Sequence, residues 1–506
     1  MLSSSAYKPT KVLEDHERER EDAPLPDWTL LYFLCIGYSS IAFGRVALTV
    51  CGPTLRESGF LADGSDLDFG TMQGLATGSY CLGKVMWALT SDWMGGFTNM
   101  KVTMAGCVIS GMLCGFSRNN PWYFVCFWCL QMFFSSGVWG GVANVIRESY
   151  DESAYGRCFS LLGFFSRLGA TIGALCMTPI LHAGKWQYVF LAGFAIPASL
   201  GTACLVQLHF MLQTGRGWRG LQDNRDGRDD SANGTANPLS QPLLGGAKAE
   251  DVHYVSAVTI TTKTANTAPG SDDTEAAAGA VASAASLKPA QEKDALWAFI
   301  IKCLYEPRVY AVLVNSIVLT VMMELQFMVP VFLQEQFHVS SALGGYGAAF
   351  FIGGCLFTPV VGAKYDVWSW KRRSQMLPTL VLFAATMMVP LVLLPPLMHG
   401  MSPTLTVVVA GLVLMFVSAG VCGPYYITGS EFAMLMGGQE FAGFFLNSID
   451  ALSYIVAVGF DVGGYKYAAA HGWSAVILTL LAASVVDAGA LAYYYRLPKL
   501  STLKDK

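Results

Sequence analysis

Apolar residues along this chain gather into twelve stretches of spanning length, six before a long polar interruption and six after it. The pattern predicts helices at about 28–51, 69–91, 101–117, 121–146, 158–182 and 187–212 in the first half. In the second half it predicts helices at about 308–334, 341–365, 374–396, 404–430, 440–463 and 473–496. At roughly 1.5 Å rise per residue, each is long enough for a hydrocarbon core of about 30 Å. Glycines recur inside them, for example Gly169, Gly173, Gly345 and Gly347. Small residues let helix backbones approach closely where lipid supplies no hydrophobic drive between helices. The expected fold class is an all-α membrane protein of twelve transmembrane helices in two six-helix bundles.

The interruption divides the chain. The expected layout is a cytoplasmic tail over 1–27, a six-helix bundle over 28–212, a linker over 213–307, a second bundle over 308–496 and a tail over 497–506. The linker is rich in Gly, Ser, Thr, Ala, Asp and Asn and nearly free of aromatics. Such a stretch buries too little apolar surface to offset its ordering entropy, so it reads as disordered. From Asp294 to Tyr305 it turns amphipathic through Leu296, Trp297, Phe299, Ile300 and Leu304, the pattern of a short interfacial helix.

Composition narrows the function class. Of the 506 residues, 53% are hydrophobic and only 13% charged, too little charge to coat a soluble protein of this size. The net charge of -4 and the absence of a basic stripe argue against nucleic acid as a partner. The 13 cysteines form no C-x-x-C pair and read as small core residues. The polar, acidic start from Glu14 to Asp22 lacks a signal-peptide pattern. No H-E-x-x-H, P-loop or G-x-S-x-G stands in a plausible context, so neither enzyme, metal site, cofactor nor ATP drive is expected.

Lys and Arg in the short loops set the expected orientation. With the N-terminus inside, the inner loops hold Lys101, Arg147, Arg157, Lys364, Lys371, Arg372 and Arg373, and the inner tail adds Lys499, Lys504 and Lys506. The outer loops hold Arg56, Arg118, Lys185 and Lys466. Both termini and the linker are therefore expected in the cytoplasm, where the sequon Asn233-Gly234-Thr235 would stay unused. A weak repeat relates the halves. Helix two ends in Asp92 with Lys101 beyond it, and helix eight ends in Asp366 with Lys371, Arg372 and Arg373 beyond it. These two aspartates are the candidate conformational-switch positions of a two-half carrier.

Charges at bilayer depth are expensive and usually face a cavity. Arg45 lies inside helix one with Tyr38 seven residues earlier on the same face, placed to fork onto a phosphate or carboxylate or to form a structural ion pair. Lys84 follows Tyr80 by one turn and either enters the cavity or snorkels inward. Arg167 follows Phe164 and Phe165 in helix five. Three cations on one cavity favour an anionic solute. Glu324, beside Gln326, is either a proton site or a partner for Arg45 or Arg167, with pairing favoured. Asn447, Asp450 and Tyr454 share a face of helix eleven, as solute contacts or as an interhelical polar cluster. Asp487 reads as structural. Trp139, Tyr425 and Tyr426 either line the solute path or pack.

Gly37-Tyr38, Arg45, Pro53-Thr54-Leu55 and Glu57-Ser58-Gly59-Phe60, with Tyr80 to Lys84 and Ser91-Asp92, resemble the organophosphate:phosphate antiporters of the major facilitator superfamily. The resemblance continues faintly across both halves, including Gly423-Pro424, and leaves the linker out. It implies the major facilitator fold, Arg45 as a phosphate ligand and Lys84 in the family's helix-two lysine position. The family's second arginine, in helix seven, has no counterpart in Met322-Met323-Glu324-Leu325. Arg167, near the family's helix-five histidine position, is the candidate to replace that charge. The expected function is alternating-access transport of a small organic anion by a monomer in a lipid bilayer, sugar phosphate or glycerol phosphate first in line. The alternatives are a proton-coupled symporter of an amino acid or monocarboxylate, and a non-transporting nutrient sensor.

Overall fold

The computed structural model describes residues 28–61, 67–150, 155–213, 301, 303 and 305–497, with no strand among them. The side chains of 88, 89, 91–93, 155, 156, 342, 366, 434 and 437–444 lie outside the description. So do the terminal tails, nearly all of the linker and nearly all of the expected interfacial helix.

The first half contains α1 (Trp28–Glu57), α2 (Phe69–Met94), α3 (Gly96–Cys114), α4 (Pro121–Ser149), α5 (Tyr155–Ala183) and α6 (Trp186–Gln213). A π-helical turn at Pro197–Gly201 interrupts α6. The second half begins with α7 (Pro307–Phe337). Next comes α8, built from Ser341–Gly354, a 3₁₀ turn Cys355–Phe357 and Thr358–Val367, followed by α9 (Trp370–Leu397). Helical structure then runs without a break from Pro403 to His471. That segment makes two crossings, α10 (Pro403–Ala433) and α11 (Phe445–His471). The rings of Phe432 and Phe445 lie 5.4 Å apart, whereas thirteen residues of straight helix would span about 20 Å. The chain therefore doubles back between them. The last helix is α12 (Trp473–Arg496).

Local chemistry explains several boundaries. Asn120 accepts from the Tyr123 amide at the start of α4, Ser369 from the Arg372 amide at α9, and Ser402 from the Leu405 amide at α10. Pro121 and Pro403 occupy first-turn positions, where a missing N–H costs nothing. Single glycines in left-handed backbone, Gly95 (φ 77°) and Gly472 (φ 82°), separate α2 from α3 and α11 from α12. Several helices outrun their expected ends: α3 starts at Gly96, α9 at Trp370, and α11 continues to His471. Lys101 and the Lys371–Arg373 run thus stand on helices, not in loops.

Eleven of these helices are long and apolar enough to cross a membrane. The other, α2, has 26 residues but carries Thr71, Gln73, Thr77, Ser79 and Lys84. Its polarity has a structural cause, because α2 packs against the other half along its length. Large apolar side chains such as Ile109, Val360, Ile455 and Val486 are exposed on the outer surface, the expected arrangement against lipid.

The described helices on both sides of the linker form one compact unit. Inside it, two seams join the halves. In one, Gly70 and Gly74 of α2 pack against Asp461, Tyr465, Val458 and Val462 of α11. In the other, Gly345 and Gly353 of α8 meet Thr178 and Thr171 of α5, and Gly362 meets Ser160. A Cβ on Gly74 would stand 2.3 Å from Val462 Cγ2, so only glycine permits that approach. Where α1 ends, Arg56 pairs with Glu335 at 2.7 Å and Gln334 donates to Glu57. Glu335 also accepts from Trp473 Nε1 at 2.7 Å.

One cysteine pair departs from the sequence reading. Cys355 in α8 and Cys422 in α10 form a disulfide, with Cα atoms 5.4 Å apart. The other cysteines are thiols. A separation of 67 residues gives no local signal from which the pair could be read.

Candidate functional site: a charged cavity between the halves

A cavity enclosing about 1170 Å³ of empty space, open solvent included, lies between the two halves. Helix periodicity explains its walls. Tyr38, Ala42, Arg45, Val46 and Thr49 form one stripe of α1, and Leu446, Asp450 and Tyr454 form a stripe of α11 at four-residue spacing. From α7 come Asn315, Ser316, Met323, Glu324, Gln326 and Phe327.

Eight of the nine residues expected to contact solute line this space: Tyr38, Arg45, Lys84, Trp139, Arg167, Glu324, Asp450 and Tyr454. Asn447 does not. Its neighbour Leu446 lines the cavity instead. The side chains of Asp92 and Asp366 lie outside the described residues.

The three cations stand in different circumstances. Lys84, only 6% exposed, pairs with Asp450 of the opposite half at 3.0 Å. It thus faces the cavity and does not snorkel. Arg167 is held by neutral groups: its Nε donates to the Tyr426 hydroxyl at 2.8 Å and its Nη1 to Gln326 Oε1 at 3.2 Å. Arg45 lies over the ring of Tyr80, 5.0 Å from its centroid. It has no ion pair and no hydrogen bond to any side chain among the described residues. Its guanidinium therefore keeps its fork of donors for something else.

Glu324 contradicts the expectation of pairing. It is 5% exposed, makes no ion pair among the described residues, and its Oε2 is buried without a hydrogen-bond partner. It interacts electrostatically with Arg45 and Arg167, but neither comes within ion-pair distance. Asp450 is the acid that takes a cation. Asp487, expected to be structural, accepts from Asn315 Nδ2 at 2.8 Å.

Aromatic side chains complete the walls. Tyr38 packs on Trp139 at 5.7 Å, Tyr80 on Tyr454 of the other half at 4.8 Å, and Tyr425 on Tyr426 at 4.9 Å. Tyr425 and Tyr426 line the cavity. The sequence reading missed Asn315, Ser316 and Ser166, which also line it. The recoverable signal was polarity inside otherwise apolar helices. It also missed the run Gly70, Gly74 and Gly78, whose four-residue spacing marks a close-packed helix face.

With both carboxylates ionised, the lining side chains still leave one positive charge in excess. The arrangement suits a small anion that reaches Arg45, flanked by stacked tyrosines and a second, hydroxyl-braced guanidinium.

The sequence pattern of the Major Facilitator Superfamily matches residues 34–460. The MFS-type transporter lnaF of Aspergillus flavus is 33% identical over 89 residues, which is 17% of this chain and 18% of that protein. The chain therefore aligns with less than a fifth of that relative's length. Among solved structures, the D-xylose-proton symporter superposes with a TM-score of 0.59 at 12% identity, covering 94% of this chain and 99% of that one. The partially occluded inward-open xylose transporter XylE from E. coli gives 0.56 at 11% identity, covering 91% and 97%. At such identities the likeness is one of fold alone.

Proposed function

The chain belongs to the Major Facilitator Superfamily, a family of transporters and not enzymes, and on that premise we propose that it carries a small organic anion through this cavity by alternating access, with Arg45 as the anion's principal ligand. The observation that carries this reading is the free guanidinium of Arg45 in a cavity of net positive lining. A carboxylate or phosphate accepts two parallel hydrogen bonds from such a fork, and charge-assisted bonds are among the strong ones. Arg167 braces the same solute from α5, and Lys84 adds field while it remains tied to Asp450. Phosphate monoesters are the first solutes to test, because a dianion makes fullest use of two guanidinium groups. The protein functions as a multi-pass monomer in a lipid bilayer, with both termini on the cytoplasmic side.

The test is uptake of radiolabelled glycerol 3-phosphate or inorganic phosphate into proteoliposomes preloaded with phosphate. Wild-type exchange is expected, with Arg45→Ala reducing it by roughly 10- to 100-fold, the worth of hydrogen bonds to a charged group. Absence of exchange by folded wild-type protein would sink the phosphate-ester reading.

A second reading rests on Glu324. A carboxylate oxygen buried without a partner is stable as the neutral acid and costly as the anion. On this reading the solute moves with a proton that Glu324 carries. An imposed pH gradient then drives uptake without a counter-solute, and Glu324→Gln uncouples uptake from the gradient. Exchange that ignores the gradient in both proteins would remove this reading.

A further inference from the structure

Seven residues beyond Tyr454 on α11 stands a carboxylate that the cavity does not use. Asp461 is fully buried, on the seam with α2 and outside the cavity lining. Thr77 of α2 donates its hydroxyl to Asp461 Oδ2 at 2.6 Å. The other oxygen, Oδ1, is buried without a hydrogen-bond partner. One turn from Thr77, on the same α2 face, Gln73 is also fully buried, and neither end of its amide has a partner. No ion pair reaches Asp461 among the described residues.

Arg45 of α1, the cation left without an ion pair, is not among the groups that act on Asp461, and the other charged groups on the surrounding elements are committed elsewhere or carry the wrong sign. Lys84 of α2 is tied to Asp450. Arg56 of α1 pairs with Glu335 and lies over the Tyr465 ring at 5.7 Å. Asp487 of α12 is bonded to Asn315. From α7 comes Glu324, a like charge that interacts electrostatically with Asp461. An ionised carboxylate here would sit in a closely packed seam with one hydroxyl for company and an acid for a neighbour. That arrangement is far costlier than a neutral carboxylic acid in the same place.

The seam is also one of the two surfaces that must part if the halves rock. Gly70 and Gly74 bring the helices so close that a Cβ on Gly70 would meet the Asp461 carbonyl at 3.2 Å. Closure therefore excludes water from the carboxyl group, and opening admits it.

We propose that Asp461 is a proton-binding site of the α2–α11 seam, holding a proton while the seam is closed and releasing it to water when the two helices part. In the closed seam the carboxyl group is neutral and accepts from Thr77. On opening, its O–H bond breaks, the proton passes to a water molecule, and the carboxylate keeps the electron pair. Reclosure requires the proton back, so the pH on the side to which the seam opens sets how readily it shuts. The inference rests on the alternating-access reading above but not on the nature of the solute. Gln73 is a positioning residue, its amide lying on the face that the carboxyl group meets.

The test is hydrogen–deuterium exchange of the full-length protein in lipid nanodiscs, followed over residues 69–78 and 455–466 across a pH series and corrected for intrinsic exchange. No solute is needed, so failure of Arg45-dependent uptake would leave this experiment independent. In wild type, protection of both segments is expected to fall with rising pH, approaching about tenfold per pH unit for one titrating group. Asp461→Asn should keep both segments protected throughout the series. Thr77→Val leaves the acid in place but removes the donor that stabilises its ionised form, so the fall should move to higher pH. Glu324→Gln should retain a pH-dependent fall. Protection that does not change with pH in wild type would overturn the proposal. So would an Asp461→Asn profile equal to wild type, loss of the fall in Glu324→Gln, or protection that follows sodium at fixed pH. If Asp461→Asn does not fold, the direction of the Thr77→Val shift decides, and no shift refutes the site.

Discussion

Around the cavity and the α2–α11 seam the amino-terminal half places the cations Arg45, Lys84 and Arg167, whereas the carboxy-terminal half places the acids Glu324, Asp450 and Asp461. Within that set neither half pairs its own charges, whereas away from the cavity Arg373 pairs with Glu431 inside the carboxy-terminal half. Each must turn to the other half, to neutral dipoles or to a solute. Lys84 takes the first course with Asp450. Arg167 takes the second with Tyr426 and Gln326, as Asp461 does with Thr77 and Asp487 with Asn315. Arg45 and Glu324, which act on each other electrostatically without forming an ion pair, are left for the third. The separation of sign makes the interface between the halves electrostatically attractive when closed and expensive when dry and mispaired.

The largest expected effect comes from reversing that separation at its free end. Arg45→Glu places an acid among acids, and anion uptake should fall below detection, a larger loss than that of Arg45→Ala. Uptake above the level of empty liposomes would show that Arg45 is not the ligand.

Breaking the tie between Lys84 and Asp450 comes next. Asp450→Leu leaves Lys84 buried without its partner and should destabilise the protein by about 2 kcal/mol. That is less than the 3–5 kcal/mol typical of a broken buried pair, because Asp450 is 22% exposed. The double variant Lys84→Met/Asp450→Leu should recover most of the loss in thermal unfolding. Equal instability of the single and double variants would mean that the pair contributes no coupling.

A smaller effect is expected at the braced cation. Arg167→Lys keeps the charge but cannot reproduce the fork, and lysine is a point donor on a flexible stem. Solute affinity should weaken by about 3- to 10-fold with little change in maximal rate. A change in rate with unchanged affinity would move Arg167 from binding to motion.

The smallest effect tests the face assignment on α11. Asn447→Ala should change uptake by less than about twofold, the usual scale of a substitution away from special features. Leu446→Asp, on the cavity stripe, should impair it far more. The reverse order would place Asn447, and not Leu446, on the solute path.

These charges, Asp461 apart, were legible in the sequence because each interrupts an apolar run, and the same runs gave the helices. Their partners were not legible. Lys84 and Asp450 are 366 residues apart, and no local pattern links them. Whether Glu324 forms an ion pair depends on side-chain reach, which helix spacing does not fix. Asn447 was grouped with Asp450 and Tyr454 because three- and four-residue steps both stay near one face. Asn447 and Tyr454, seven residues apart, differ by only about 20° around the helix, so spacing alone does not separate them. Asp461 escaped notice because the eleventh helix was expected to end at 463, making the acid a terminal residue. The helix continues to His471, and this places Asp461 well inside it. The polarity of α2 was visible, but its reason, a seam shared with the other half, was not.

Gly74 holds a lever on the whole molecule that needs no contact with solute. A single added methyl group there would collide with Val462 only where α2 and α11 are packed together. Gly74→Ala therefore acts as a wedge that penalises one state and spares its alternative. A penalty of about 1.4 kcal/mol would redistribute the population between the two about tenfold. The allele would be one whose cavity is intact and whose transport is slow, because the carrier spends its time resting on the wrong side.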